Sequence, residues 1–229
     1  MEDKLSRRMR AIVDKIDHVH IAADIGCDHG LVGEALIKET RADKIIAGDI
    51  SEKSLQKTID LACGNCWKDR LDARNGNGLS VLVKGEADVI ILAGMGGFLV
   101  RSILENDLEI AHSAKKIICM PHGNEYELRV FLYENNFLIA DEELVQEENH
   151  YYQLMEVVSG EDDMPNQLEL FFGRRLLEKR QPPLKQYLMS RKKKLEYVIE
   201  HAKQGRNTEE YRKKMSELHE QITEVLRCL

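Results

Sequence analysis

AADIGCDHG, residues 22–30, decides how the chain is read. It climbs out of an apolar run, HIAADI at 20–25, and breaks at Gly26. This is the pattern of a buried strand entering a glycine turn and then a helix, as in nucleotide-binding doubly wound sheets. The middle glycine of the usual Gly-x-Gly is missing, and Asp28 stands in its place. A carboxylate at such a turn either caps the following helix or selects the charge of a ligand.

Outward from that turn the chain alternates between strand and helix patterns. Leu5, Met9, Ile12, Val13 and Ile16 recur at helical spacing and predict a helix over about 4–17. Strands are expected at about 20–25, 44–49, 70–73, 88–94 and 116–120, with helices at about 31–39, 52–63, 97–106 and 124–135 between them. DVIILAG at 88–94 is a continuous apolar run, as in a strand buried on both faces. Two last strands, about 137–147 and 150–158, are separated by too few residues for a crossover and should form an antiparallel hairpin. The expected fold class is α/β: a Rossmann-like, seven-stranded, mostly parallel sheet, the layout of class I methyltransferases.

The composition changes after Gly160, where GEDDMPNQ reads as a boundary loop. We expect a ligand-binding domain over 1–160 and a helical domain over 161–229. In the latter, Leu184, Leu188, Leu195, Val198 and Ala202 lie near heptad spacing, and Arg191 interrupts them. Gly205 ends that helix, and Asn207 with Glu210 suits the cap of the next. Tyr211, Met215, Leu218, Ile222, Val225 and Leu229 step by alternating fours and threes, a heptad seam. An antiparallel coiled-coil hairpin is the expectation.

The whole chain carries a net charge of -7, which alone argues against a nucleic-acid partner. From Arg174 onward, however, 15 Lys+Arg face 8 Asp+Glu, a net of +7, so the residues before it hold -14. A basic module on an acidic body fits a nucleic-acid binder, or else a solvated hairpin with lysine-rich faces. Five cysteines scattered without a framework fit a reducing cytoplasm. No signal-peptide core or membrane span is expected.

In a doubly wound sheet, ligands lie at the carboxyl ends of the strands near the reversal of strand order. Asp49 stands about 20 residues beyond the first glycine, where an acid takes both hydroxyls of a ribose. A dinucleotide would set its pyrophosphate on the helix N-terminus, and Asp28 would repel it. S-adenosylmethionine has no phosphate, and its sulfonium and amino groups are cationic. The turn therefore favours that cofactor, with Asp24 and Asp28 facing the amino group or its bound water.

LSRRM at 5–9, DIGCDHG at 24–30, GD at 48–49, RNGNGL at 74–79 and AGMGG at 93–97, in this order and ahead of a coiled coil, resemble the bacterial tRNA (adenine-N1)-methyltransferases that modify adenosine 22, the TrmK family. The resemblance spans nearly the whole chain and implies S-adenosylmethionine as cofactor and tRNA as partner. By that match Asp24, Gly26, Asp28, His29 and Gly30 line the methionine side. Asp49, with Ile50 beside it, takes the ribose; Asn75, Gly76 and Asn77 approach the adenine. Ala93, Gly94, Met95, Gly96 and Gly97 close the floor beside the methyl group. DHGLVG stands where the family often has DHAYLP, and Met120-Pro121-His122-Gly123-Asn124 where it often has a Gln-Pro-Asn-like turn.

Adenine N1 has an in-plane lone pair and attacks a sulfonium methyl directly once aligned. AGMGG replaces the Asn/Asp-Pro-Pro-Tyr/Phe motif of exocyclic-amine methyltransferases, which suits a ring nitrogen. Asp28, His29 and Met95 are the candidate catalytic residues. Arg7, Arg8, Pro121, His122 and Asn124 are candidate substrate contacts near the site. Arg191, Lys192, Lys193, Lys194, Arg206, Arg212, Lys213 and Lys214 are candidate phosphate contacts. Cys63 and Cys66 form a lone C-x-x-C with no second pair, so no metal is expected. No obligate protein partner is evident, and a monomer or weak dimer is expected. The rival readings are a methyltransferase of small molecules or proteins with a dimerising hairpin, and a non-catalytic nucleotide-binding adaptor.

Overall fold

The computed structural model describes residues 5–201 and 206–229, with the side chains of 206–208 outside that description. The chain divides into two compact units, Met1–Met164 and Pro165–Leu229.

The first unit is built on seven strands: β1 (Val19–Ile25), β2 (Ala42–Asp49), β3 (Leu71–Asn75), β4 (Val89–Ala93), β5 (Lys116–Met120), β6 (Phe137–Glu147) and β7 (His150–Ser159). They form one sheet in the order β3-β2-β1-β4-β5-β7-β6. All pairs are parallel except β5 with β7 and β7 with β6. The strand order reverses between β1 and β4, and a crevice opens at their carboxyl ends. Six helices accompany the sheet: α1 (Arg7–Asp14), α2 (Leu31–Lys38), α3 (Glu52–Gly64), α4 (Gly97–Asn106), α5 (Leu108–Ser113) and α6 (Glu125–Glu134).

Apolar strands with both faces covered explain the continuous hydrophobic runs. Ala23, Ile25, Ile90, Leu92, Ile117 and Cys119 pack with α4 and α6. Their neighbours Ala22, Val89, Ile91, Ile118 and Met120 point the other way, toward α1 and α2. The expected elements are present, with the first helix shorter than 4–17. The sequence reading missed α5, a single turn set between α4 and β5.

One polar cluster is sunk in this unit. Arg129 on α6, Glu142 on β6 and Gln153 on β7 are each 1% exposed. Arg129 Nε and Nη2 donate to Glu142 Oε1 at 2.9 and 2.6 Å, and Nη2 also donates to Gln153 Oε1. The cluster ties the antiparallel hairpin to the helix that precedes it.

The second unit comprises α7 (Gln167–Phe172), α8 (Arg174–Lys179), α9 (Leu184–His201) and α10 (Arg206–Arg227). A capping box starts α7: Asn166 accepts from the Glu169 N–H, and Glu169 accepts from the Asn166 N–H. Both α7 and α9 pack on α10. Of the heptad positions, Met215, Leu218 and Ile222 are buried, Val225 is partly buried, and Tyr211 is 49% exposed. Tyr187, absent from the expected stripe, is buried against Phe172 with ring centroids 6.0 Å apart. Helix α10 begins at Arg206, so Asn207 lies within it and not before it. Ala202 and Gly205 fall outside the described residues. Among the described residues no helix is long and apolar enough to cross a membrane.

Replacing Arg129 with Met leaves Glu142 buried without its cation. The variant should lose about 3–5 kcal/mol in urea unfolding, and Arg129→Met with Glu142→Leu should recover most of it.

Candidate active site

A cavity of about 290 Å³ lies at the carboxyl ends of β1, β4 and β5. β7 runs the opposite way, so its first residues reach the same edge. Asp24, Gly26, Cys27, Asp28 and His29 line one end; Ala93, Gly94 and Met120 lie along it; Arg8, His122 and Tyr152 line the other.

Asp24 is 7% exposed, and its carboxylate makes no hydrogen bond or ion pair among the described residues. Burial, with the Asp49 charge adding, pushes its carboxyl up to about 7. A buried acid facing a cavity without a partner is a seat for a cation.

The turn beyond it has a backbone reason for its glycine. Gly26 has φ +77, and a Cβ there would come within 2.8 Å of Met95 Cε. Asp28 also has positive φ, at 46, and points outward. Its side chain is 70% exposed and lies 3.8 Å from Lys57 Nζ, which donates to His29 Nε2 at 3.3 Å. Asp28 does not cap α2, whose N-cap is Gly30 without a side-chain bond. The charge at the turn is thus offset by Lys57, whereas Asp24, inside the cavity, has no cation beside it among the described residues. Lys57 lies on α3, 29 residues beyond Asp28, and nothing in the local pattern points to it.

Asp49 and Asn75 are register partners at the ends of β2 and β3. Asp49 Oδ1 accepts from the Ser51 N–H at 2.8 Å. Asn75 Nδ2 donates to the carbonyls of Asp49 and Ile50, both at 3.1 Å, and Gly76 N–H also donates to Asp49 O. Ile50 is 74% exposed, an apolar side chain held at the surface beside these polar groups. This shelf, with Asn77 at its rim, adjoins the cavity on the β2 side and does not line it.

The AGMGG turn is locked to the turn after β5. His122 N–H donates to Met95 O at 2.8 Å, and Gly97 N–H donates to Gly123 O at 3.0 Å. A Cβ on Gly97 would meet the Asn124 carbonyl oxygen at 2.4 Å. Gly97 therefore serves close packing of two backbones. Pro121 is buried, while Asn124, in the left-handed region at φ 58, stands exposed at the start of α6.

Arg8 spans the far end of the cavity. Its Nε lies 3.3 Å from Glu147 Oε2, and its Nη1 lies 3.0 Å from His122 Nε2. Its guanidinium carbon sits 5.3 Å from the Tyr152 ring centre. Arg7 is exposed and does not line the cavity. The other basic candidates belong to the second unit: Arg191 to Lys194 on α9, and Arg206, Arg212, Lys213 and Lys214 on α10. Tyr152, Met9, Ile12 and Met120 were missed as cavity residues because they look like ordinary core positions of a helix and two strands.

Comparison with known proteins accords with this geometry. Residues 5–155 match the family described as a methyltransferase domain. The fold and its switch-point cavity are thus those of a Rossmann-like methyltransferase. A tRNA (adenine(22)-N(1))-methyltransferase of Bacillus subtilis is 30% identical over 162 residues, 71% of this chain and 68% of that protein. The crystal structure of a candidate tRNA (m1A22) methyltransferase from Streptococcus pneumoniae superposes with a TM-score of 0.89 at 26% identity, covering 97% of this chain and 99% of that one. The same protein in complex with S-adenosyl-L-methionine gives 0.87 at 26% identity, with the same coverage. The chain belongs to the bacterial tRNA (adenine(22)-N(1))-methyltransferase family, TrmK.

Asp24 sets a pH dependence of known sign. The unfolded chain gives up this proton near pH 4, and the folded protein keeps it to about pH 7. Between those values each rise in pH costs the ligand-free protein stability. Asp24→Asn should abolish that loss, gaining up to roughly 4 kcal/mol relative to wild type on going from pH 4 to pH 8, measured by urea unfolding at both.

Proposed function

We propose that this protein transfers the methyl group of S-adenosylmethionine to N1 of adenosine 22 in tRNA. The observation that carries the reading is Asp24, a buried, unpartnered carboxylate at the switch point of a methyltransferase sheet. When bound, S-adenosylmethionine supplies an electrophilic methyl group on a positively charged sulfur. Asp24 offers the balancing charge to the cationic methionine end, and a cation there draws its carboxyl back toward the ionised form. Asp49 has one oxygen committed to the Ser51 N–H, which leaves the other for the ribose hydroxyls. Asn75 holds the shelf on which Ile50 presents an apolar face to adenine. The Gly26, Gly94 and Met95 backbone bounds the middle, with Asp28, His29 and Lys57 at its rim.

Adenine N1 needs no covalent help from the enzyme. The work left to the protein is alignment and exclusion of water. Residues 1–160 act as the cofactor-binding domain and 161–229 as the tRNA-docking domain. Lys193, Lys194 and Lys213 are exposed on the helical unit and serve RNA phosphates. The protein acts as a monomer or weak dimer in the cytoplasm, a compartment compatible with its five free cysteines.

The test is methyl transfer from labelled S-adenosylmethionine to a matching tRNA transcript, with the position mapped. Label should appear at adenosine 22, and a transcript with guanosine there should accept none; equal labelling of both transcripts overturns the reading. Lys192→Glu, Lys193→Glu and Lys194→Glu together should weaken tRNA binding and flatten the slope of log affinity against log salt by about 2–3, read by filter binding. An unchanged slope removes α9 from the docking surface.

A further inference from the structure

At the far end of the cavity Arg8 and His122 are candidate substrate contacts, but Tyr152 beside them has no role assigned so far. It is made by α1, the turn after β5, and the start of β7. Across the sheet the order runs from the Asp49 shelf on β2, through Asp24 on β1 and Ala93 on β4, to Met120 on β5 and Tyr152 on β7. Strands lie about 4.8 Å apart, so three steps separate Asp24 from Tyr152, roughly 14 Å of sheet. A cofactor tail seated at Asp24 leaves the Tyr152 end of the cavity for its reaction partner.

That end has the chemistry of a base seat. Tyr152 is half-buried with its ring in the cavity wall, and its hydroxyl has no hydrogen-bond partner among the described residues. A tyrosine whose hydroxyl is unused contributes its ring. His122 meets that ring edge-on, at 5.1 Å between centroids and 84° between planes. Arg8 holds the pair from α1. A guanidinium only donates, so the Arg8 contact at 3.0 Å makes His122 Nε2 an acceptor and leaves its proton on Nδ1. Burial and the Arg8 charge also lower the pKa of His122, in keeping with the neutral ring. The seat is thus ordered by the Tyr152 ring, with the Arg8 guanidinium 5.3 Å over one of its faces and anchored to Glu147, and by a neutral imidazole edge, which leaves the other face of the ring for a ligand. A planar, uncharged, aromatic ligand fits it. An anionic group would meet Arg8 but waste the aromatic face.

We propose that Tyr152 is the stacking platform for the unstacked target adenine, with Arg8 and His122 fixing the edge of its seat. The inference rests on the proposed activity, since an adenine must leave its helix or loop to reach the methyl group. Stacking on an aromatic side chain is sequence-tolerant and costs about 5- to 150-fold in affinity when removed by alanine.

A binding cycle without methyl transfer tests it. Labelled tRNA with adenosine 22 and the same tRNA with an abasic site at 22 are titrated with wild type, Tyr152→Ala and Tyr152→Phe in the presence of S-adenosylhomocysteine. The ratio of the abasic Kd to the intact Kd should fall about tenfold in Tyr152→Ala and stay within twofold in Tyr152→Phe. Affinity for S-adenosylhomocysteine should stay within twofold in both, which also reports that they fold. A ratio unchanged in Tyr152→Ala overturns the inference while wild-type labelling at adenosine 22 keeps the function standing. If wild type does not label adenosine 22, both fall together.

Discussion

The site depends on two turns of backbone pressed together. Gly97, at the start of α4, lies so close to the Gly123–Asn124 peptide that no side chain fits between them. Hydrogen bonds from His122 to Met95 and from Gly97 to Gly123 close the contact on both sides. Through it, the end of β4 and the end of β5 become one rigid ledge. Met95 reaches from that ledge over Gly26, and His122 reaches the opposite way toward Arg8. Both halves of the cavity therefore take their geometry from one contact between main chains.

Much of the fold was legible because the central parallel strands β4 and β5 are buried on both faces and read as apolar runs. The order of motifs placed Asp24, Gly26, Asp49 and Gly94 at strand ends without any tertiary information. The helical tail was legible only in part. Met215, Leu218 and Ile222 follow the heptad inward, whereas Tyr187 is buried off the stripe by contact with Phe172 from α7. A short helix such as α5 carries too few turns for periodicity to mark it.

The site was less legible than the fold because its charges are balanced across long gaps in sequence. Asp28 drew attention as an isolated carboxylate, but Lys57 from α3 sits beside it. Asp24 was expected, with Asp28, to face the cofactor's amino group, but its burial and the resulting electrostatic consequence were not legible in the motif. Tyr152 resembles any alternating strand residue until β7 is seen to run against its neighbours and present its first residues to the cavity.

The buried Arg129–Glu142–Gln153 cluster has a consequence for that same strand. Side chains alternate strictly along β7. Gln153, fixed inward by Arg129 on the α6 face, dictates that its neighbour Tyr152 points to the α1 face. A slip of one residue would turn Tyr152 to the wrong side and pull Gln153 away from Arg129. The polar cluster is a phase lock: a charge pair deep on one side of the sheet determines which aromatic ring is shown on the other.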